Sequence, residues 1–181
     1  MNLGFVRDYD NIVIMSHCRD ELVFFYDYIT HRSLVILVTT PSSEREFGIL
    51  NSFISERGCE LIILKDIDTF NTSYQLSNNS KDIIKTLLST KKYDKIITQT
   101  KTTLSSDPVS RQVYDFIVSL NISGHYVIQY DASNNKSIPN NFNSYANMYA
   151  SVYLLTSNDI NKRVNMFKNT YRSVKGIVQV S

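Results

Sequence analysis

Two short stretches of the chain, residues 12–15 and 34–38, are continuously apolar and rich in β-branched side chains. Runs of this kind are typical of strands that are covered on both faces, as in a parallel sheet. Four further segments have strand-like patterns: residues 60–64, 93–98, 125–130 and 149–155. The pattern therefore predicts a mainly parallel sheet of five to six strands.

Amphipathic segments separate these apolar runs. A first helix is predicted where side chains recur at helical spacing, at Leu22, Phe25, Tyr26 and Ile29. A second helix follows residues 34–38, because Ser43 and Glu46 form a capping box and Gly58 stands where a helix end favours a positive φ. The apolar stripe predicted for this second helix is Phe47, Leu50 and Ile54.

Three later helices are predicted by the same periodicity. The first two cover residues 81–90 and 109–120, and the last is expected to begin at a capping Ser157. Their inward-facing side chains include Ile83, Ile84, Leu87, Leu88, Ile160, Val164, Phe167 and Tyr171. The Asn-rich segment 131–145 is predicted to be a solvated loop, because its composition favours turns.

The alternation of strand and helix predicts the fold class. We expect an α/β protein with a Rossmann-like, doubly wound, three-layer sandwich, in which residues 1–181 form a single domain. A chain of 181 residues is long enough for one domain with a full core. In open sheets of this kind, ligands bind beyond the carboxyl ends of the strands. The loops that follow the strands are therefore where a site is expected.

Composition narrows the possible partners and the location. The formal net charge is only +2 and the basic residues are scattered, so we expect no nucleic-acid binding. Cys18 and Cys59 lie far apart without metal-type spacing, which fits a reducing, cytoplasmic setting. No apolar run approaches the roughly 18 residues of a membrane span, and the N-terminus lacks the apolar region of a signal peptide.

Polar residues are concentrated in the loops after the first four strands: "SHCRDE", "TTPSSERE", "KDIDTF" and "TQTKTTLSSDPVSRQ". In the first of them, His17 and Asp20 stand three residues apart, and an imidazole with a carboxylate in such a turn can hold one metal ion. The structural alternative is that His17 is a satisfied polar residue and that Asp20 and Glu21 only complement the dipole of the following helix. Spacing alone favours this alternative, because His-x-x-Asp is a short and common pattern.

The motifs resemble those of the LmbE-like family of zinc-dependent N-acetylglucosamine deacetylases, which includes the phosphatidylinositol-glycan class L enzymes. The segment "MSHCRDE" is similar to the A-H-P-D-D-E that ends the family's first strand, and "SDPVSRQVY" is similar to its second metal motif, G-H-P-x-H-R-x-V-Y. The segments "SSEREFGIL", "ILKDID" and "NKRVNMFKNTYRS" resemble further, less specific family features. The resemblance thus extends over the whole chain.

The resemblance implies a zinc ion held by His17, Asp20 and the residue at position 110, with a general base at position 19. Here Arg19 occupies the base position, and a guanidinium cannot accept a proton. Ser110 replaces the second histidine of the second motif and Asp107 the first, while Gln99 replaces a histidine often found just upstream. Because Ser110 is a poor zinc ligand and Arg19 would oppose the ion, we expect the ordinary site to bind zinc weakly or not at all.

Two of these residues have alternative roles. Arg19 suits bidentate binding of a phosphate or carboxylate, or it is a surface residue paired with Glu21 or Asp20. Cys18 is expected to be a small buried residue, although it or Asp107 could complete a rebuilt metal site. The candidate binding cleft consists of His17, Arg19, Asp20, Glu21, Gln99, Asp107 and Ser110.

Three classes of function stay open. One is a catalytically degenerate relative that keeps the fold to bind an amino sugar, a nucleotide-sugar or a protein partner, with no cofactor. Another is an active N-deacetylase of an N-acetylated amino sugar, in which His17, Asp20 and Asp107 hold zinc in a rebuilt site. An unrelated nucleotide-binding protein ranks last, because neither G-x-G-x-x-G nor G-x-x-x-x-G-K-[ST] occurs in the chain.

Overall fold

The computed structural model describes residues 8–66, 74–100, 107–153 and 156–180. They contain a six-stranded sheet in the order β3-β2-β1-β4-β5-β6. Its strands are β1 Tyr9–Met15, β2 Ser33–Thr39, β3 Glu60–Asp66, β4 Tyr93–Thr98, β5 His125–Tyr130 and β6 Val174–Gln179. The first five strands run parallel and β6 pairs antiparallel with β5. The predicted α/β class with a mainly parallel sheet is confirmed.

Helices cover both faces of the sheet, as predicted for a three-layer sandwich. The helices of the described residues are α1 Asp20–Val23, α2 Glu44–Glu56, α3 Asn78–Thr90, α4 Pro108–Ser119, α5 Phe142–Ala150 and α6 Ser157–Ser173, and a 3-10 turn covers Ser151–Tyr153. Side chains of α1, α2, α5 and α6 share one core cluster, whereas those of α3 and α4 belong to a second cluster. The sheet therefore lies between two separate cores.

The central strands are buried on both faces. Along β1, Val13 and Met15 belong to the cluster beneath α2 and α5, while Ile12 and Ile14 belong to the cluster beneath α3 and α4. This alternation follows from the two-residue period of a strand. Every residue of β2 is buried, which explains why its sequence reads as a continuous apolar run.

The signals predicted for the two ends of α2 are confirmed, whereas its buried stripe differs in part from the prediction. The Oγ of Ser43 accepts a hydrogen bond from the backbone N–H of Glu46 at 3.1 Å, and Gly58 has a φ of 65°. Phe47 was expected in the buried stripe, but it is 40% exposed. Leu50 and Ile54 are buried as predicted, and Ile49 and Phe53 complete the buried stripe in place of Phe47.

The first helix is much shorter than predicted. It covers only Asp20–Val23, and turns follow it, although Leu22, Phe25 and Ile29 are all buried as expected. Four of the five residues from Phe24 to Tyr28 are aromatic. Aromatic residues have lower helix propensity than straight-chain residues, and their side chains can also be buried where the backbone is not helical. Tertiary packing thus buries the predicted residues without extending the helix.

The predicted late strand at 149–155 is wrong in its described part, because Tyr149 and Ala150 end α5 and residues 151–153 form the 3-10 turn. Residues 154 and 155 lie outside the described residues. The predicted loop 131–145 is also wrong beyond Asn141, where α5 begins. The buried side chains of α5 recur at helical spacing, at Phe142, Tyr145, Ala146, Tyr149 and Ala150.

The sixth strand is β6, a segment for which no strand was predicted. Smaller differences concern helix starts: α3 begins at Asn78, and α6 is capped by Thr156, whose Oγ1 accepts a hydrogen bond from the N–H of Asp159 at 3.3 Å. In the part of the chain that the structure describes, no helix is both long and apolar enough to cross a membrane.

Candidate functional site

The candidate residues lie beyond the carboxyl ends of β1 and β4, the two central strands. The chain leaves β1 toward β2 on one side and continues from β4 toward β5 on the other, so the strand order reverses between them. A crevice forms at such a reversal in doubly wound sheets. Ser16 and His17 follow β1 directly, and Gln99 follows β4 directly.

Ser110 is the centre of a hydrogen-bond network that joins these loops. Its Oγ lies 2.7 Å from the Oγ of Ser16 and donates to the Oε1 of Gln99 at 3.2 Å. The same hydroxyl also contacts the carboxylate of Asp107 at short range. Ser16, Gln99 and Ser110 are all buried. The loops after the first and fourth strands are therefore brought together at a residue that the sequence analysis placed in a metal motif.

Asp107 directly precedes α4 as its N-cap and is partly exposed. Its carboxylate caps the helix by accepting hydrogen bonds from the N–H groups of Val109 at 3.1 Å and Ser110 at 3.2 Å. The Nδ1 of His17 lies 3.6 Å from its Oδ2. The side chains of His17 and Asp107 are 28% and 16% exposed, respectively, so both are within reach of a ligand.

Asp20 closes the turn that connects β1 with α1. Its Oδ2 accepts hydrogen bonds from the backbone N–H of Ser16 at 3.1 Å and of His17 at 2.9 Å. Burial raises the pKa of this carboxyl from 3.8 to about 6, although nearby His17 partly offsets the effect. Asp20 therefore has a structural role, because one of its carboxylate oxygens binds two backbone N–H groups of the turn.

Arg19, which the resemblance aligns with the general base of the LmbE-like family, has a positive φ of 84°. Its backbone N–H donates to the Oε2 of Glu21 at 2.8 Å, and its Nε donates to the carbonyl of Cys18 at 3.2 Å. The Nε also lies 3.4 Å from the Oε1 of Glu46, a buried carboxylate on α2. Among the described residues the guanidinium thus pairs with Glu46, and not with Glu21 or Asp20, the partners named in one of the two alternatives.

Glu21 is fully buried, so it does more than complement the dipole of α1. It accepts a short hydrogen bond from the hydroxyl of Tyr149 on α5. Burial raises the pKa of Glu21 from 4.5 to about 7, even though the Tyr149 hydrogen bond lowers it. Cys18 is also buried, and burial together with the charge of Glu21 raises the pKa of its thiol. The expectation that Cys18 is a small buried residue is confirmed.

Four residues of this region were missed by the sequence analysis as members of the site: Ser16, Glu46, Tyr130 and Tyr149. Glu46 was identified only as part of a capping box, but its Oε2 accepts from the N–H of Ser42 at 3.0 Å and its Oε1 faces Arg19. The hydroxyl of Tyr130 is buried and makes no hydrogen bond within the described segments. Burial, together with the charge of Asp20, raises its pKa. Only the position of Tyr130 at the end of the fifth strand could have indicated it.

The donor set does not fit zinc in the observed arrangement. The Oδ2 atoms of Asp20 and Asp107 both accept hydrogen bonds from the protein, and the third expected ligand is the neutral hydroxyl of Ser110. Among the described residues, no three His, Cys, Asp or Glu side chains converge as a metal-binding group. In a zinc site built from His17, Asp20 and Asp107, the ion would share these carboxylates with the backbone N–H groups that they already hold.

No model of a known protein family matches the chain, and no curated protein sequence matches it either. Membership of the LmbE-like family therefore stays a prediction that rests on the motifs quoted above. The role of the seven predicted cleft residues in binding is likewise a prediction.

Proposed function

We propose that this protein is a catalytically degenerate relative of the LmbE-like deacetylases that binds an amino sugar or nucleotide-sugar at the carboxyl end of its sheet. The observation that carries this proposal is the environment of Arg19. A protonated guanidinium paired with the buried Glu46 occupies the position from which the family's carboxylate would take a proton from water. Amide hydrolysis from that position has no base.

The groups around the crevice suit a polyhydroxylated ligand. Carboxylates, imidazoles and amides exchange hydrogen bonds readily with hydroxyl groups. Asp107 and His17 are partly exposed, and Gln99 and Ser110 lie behind them in the same network. These side chains are positioned by two strand ends and by the first turn of α4, which favours a defined binding geometry over a loosely held one.

A second candidate is the active metal-dependent N-deacetylase with zinc on His17, Asp20 and Asp107. It is favoured by the separation of 3.6 Å between His17 Nδ1 and Asp107 Oδ2. Both carboxylates already hold backbone N–H groups, which leaves them fewer lone pairs for zinc, and no three His, Cys, Asp or Glu side chains converge among the described residues. We therefore rank this candidate below the binding protein.

Titration calorimetry with N-acetylglucosamine and with UDP-N-acetylglucosamine tests the proposal. We expect binding to the wild-type chain and at least a tenfold loss for Asp107→Asn, since an asparagine keeps the cap of α4 but not the charge. Asp82→Asn on the exposed side of α3 is the matched control and is expected to bind normally. Zinc content and acetate release are measured in the same preparations.

Three results would contradict the proposal. One zinc ion per chain together with release of acetate that Asp107→Ala abolishes would establish the rebuilt metal site instead. If neither sugar binds, the proposal that the ligand is an amino sugar or nucleotide-sugar is wrong. Unchanged binding by Asp107→Asn would place the ligand elsewhere and leave a protein partner as the competing occupant of the crevice.

A further inference from the structure

Arg19 has an unusual backbone conformation for its residue type. A φ of 84° lies in the left-handed region, where non-glycine residues are strained by roughly 1–3 kcal/mol unless the surroundings impose the conformation. Here the carboxylate of Glu21 holds the Arg19 N–H at 2.8 Å, and α1 begins at the next residue. The strained residue is therefore fixed from both sides at the carboxyl end of a central strand.

The guanidinium is held along one edge only. Its Nε donates to the Cys18 carbonyl at 3.2 Å and lies 3.4 Å from Glu46 Oε1. Within residues 8–66, 74–100, 107–153 and 156–180, its two Nη atoms have no hydrogen-bond or ion-pair partner. The side chain is 36% exposed, so a ligand can reach it from solvent.

An arginine oriented in this way presents two parallel N–H groups at a fixed spacing. This fork matches two oxygens of a phosphate or a carboxylate. Because the arginine side chain is already oriented before the ligand binds, less entropy is lost on binding. We propose that Arg19 binds an oxyanion carried by the ligand of the crevice, through its two Nη groups. This inference rests on the proposed function, and it names the chemical class of the ligand as an anionic sugar, either a sugar phosphate or a uronate.

The neighbouring carboxylates leave this edge usable. Glu46 contacts the Nε and Glu21 the backbone N–H, so the contacts of both carboxylates with Arg19 are made at atoms other than the Nη pair. Asp107 faces His17, its partner at the mouth of the crevice. The acids thus orient the cation, and the oxyanion occupies the edge that they do not touch.

Affinities for three sugars test the inference: N-acetylglucosamine, N-acetylglucosamine 1-phosphate and glucuronate. We expect the wild-type chain to bind at least one of the two anionic sugars at least tenfold more tightly than the neutral sugar. Arg19→Gln is expected to abolish this preference, because it should lower the affinity for the anionic sugar at least tenfold more than the affinity for N-acetylglucosamine. Whichever anionic sugar loses affinity identifies the oxyanion as phosphate or carboxylate.

Two further variants separate recognition from folding. Arg19→Gly accepts the positive φ without strain and is expected to lose the preference while unfolding cooperatively, whereas Arg19→Lys keeps the charge without the fork and is expected to retain part of the preference. Lys162→Gln, an exposed cation on α6, is the control that should change nothing. Equal binding of neutral and anionic sugars by the wild-type chain, or an equal loss of all three in Arg19→Gln, would overturn the inference.

The inference can also be judged if no sugar binds and the proposed function fails. Inorganic phosphate is then the probe, observed as broadening of its phosphorus NMR signal by the protein. Broadening that Arg19→Gln removes and Lys162→Gln preserves would support an oxyanion site at Arg19. A signal unaffected by the wild-type protein would overturn it.

Discussion

The buried carboxyl of Glu21 should make the stability of this protein depend on pH in a defined direction. Burial raises the pKa of Glu21 from 4.5 to about 7 in the folded chain. Between about pH 4.5 and 7 the folded chain therefore binds more protons than the unfolded chain. Under this condition the free energy of unfolding decreases as the pH rises and becomes level above about pH 7.

The size of this effect follows from the difference in pKa. The interval between 4.5 and about 7, at about 1.36 kcal/mol for each pH unit, corresponds to roughly 3 kcal/mol. Asp20 acts in the same direction between 3.8 and about 6 and is present in every variant considered. Replacing Glu21 with Gln removes the ionisation, so this variant should lose roughly 3 kcal/mol less than the wild-type chain across the interval.

The free energy of unfolding of the wild-type chain and of Glu21→Gln is measured by urea unfolding, followed by circular dichroism, at several pH values between 4.5 and 8. Asp82→Asn removes an exposed carboxyl and is expected to follow the wild-type curve closely. If Glu21→Gln and the wild-type chain lose the same stability over this range, Glu21 is not a buried, neutral acid at low pH. The account given for its pKa would then be wrong.

Two further predictions concern the end of α2 and the metal position. Gly58→Ala should destabilise the chain by about 1 kcal/mol in thermal or urea unfolding, because φ is 65° and a Cβ would lie 2.9 Å from the Nδ1 of His31. Gly48→Ala is the control, because a Cβ there meets nothing within 4 Å. Equal losses of stability in the two variants would contradict the prediction. Arg19→Asp combined with Ser110→His should raise the zinc content, measured by mass spectrometry, above that of the wild-type chain, because the double variant has the acid and the imidazole of the family's motifs. An unchanged zinc content in a folded double variant would argue against the family alignment.

The fold was predictable largely because the central strands are buried on both faces. Continuous apolar runs, as at residues 34–38, cannot be mistaken for half-exposed strands, and the capping pattern of Ser43 identified α2. The errors occurred where local patterns were ambiguous. The segment at 149–155 alternates like a strand, yet Tyr149 continues the helical stripe of α5, and β6 has few of the bulky side chains that mark a central strand.

The position of the site was also predictable, because parallel strands place the ends of successive loops at one edge. The contacts between His17, Asp107, Ser110 and Gln99 follow from that rule. The partners of the buried acids were not predictable. Glu46 approaches Arg19, and Tyr149 approaches Glu21, only because α2 and α5 pack over the same face as α1, and no local spacing reports that packing.

The antiparallel direction of β6 has a practical consequence. Val174 pairs with Tyr130 at the end of β5, whereas Gln179 pairs with Tyr126 near its beginning. The exposed Gln179 therefore lies toward the opposite end of the sheet from the crevice. A tether attached there would immobilise the protein on a sensor chip with the crevice facing the flowing solution, so that surface-based measurements can sample the same opening as those in free solution.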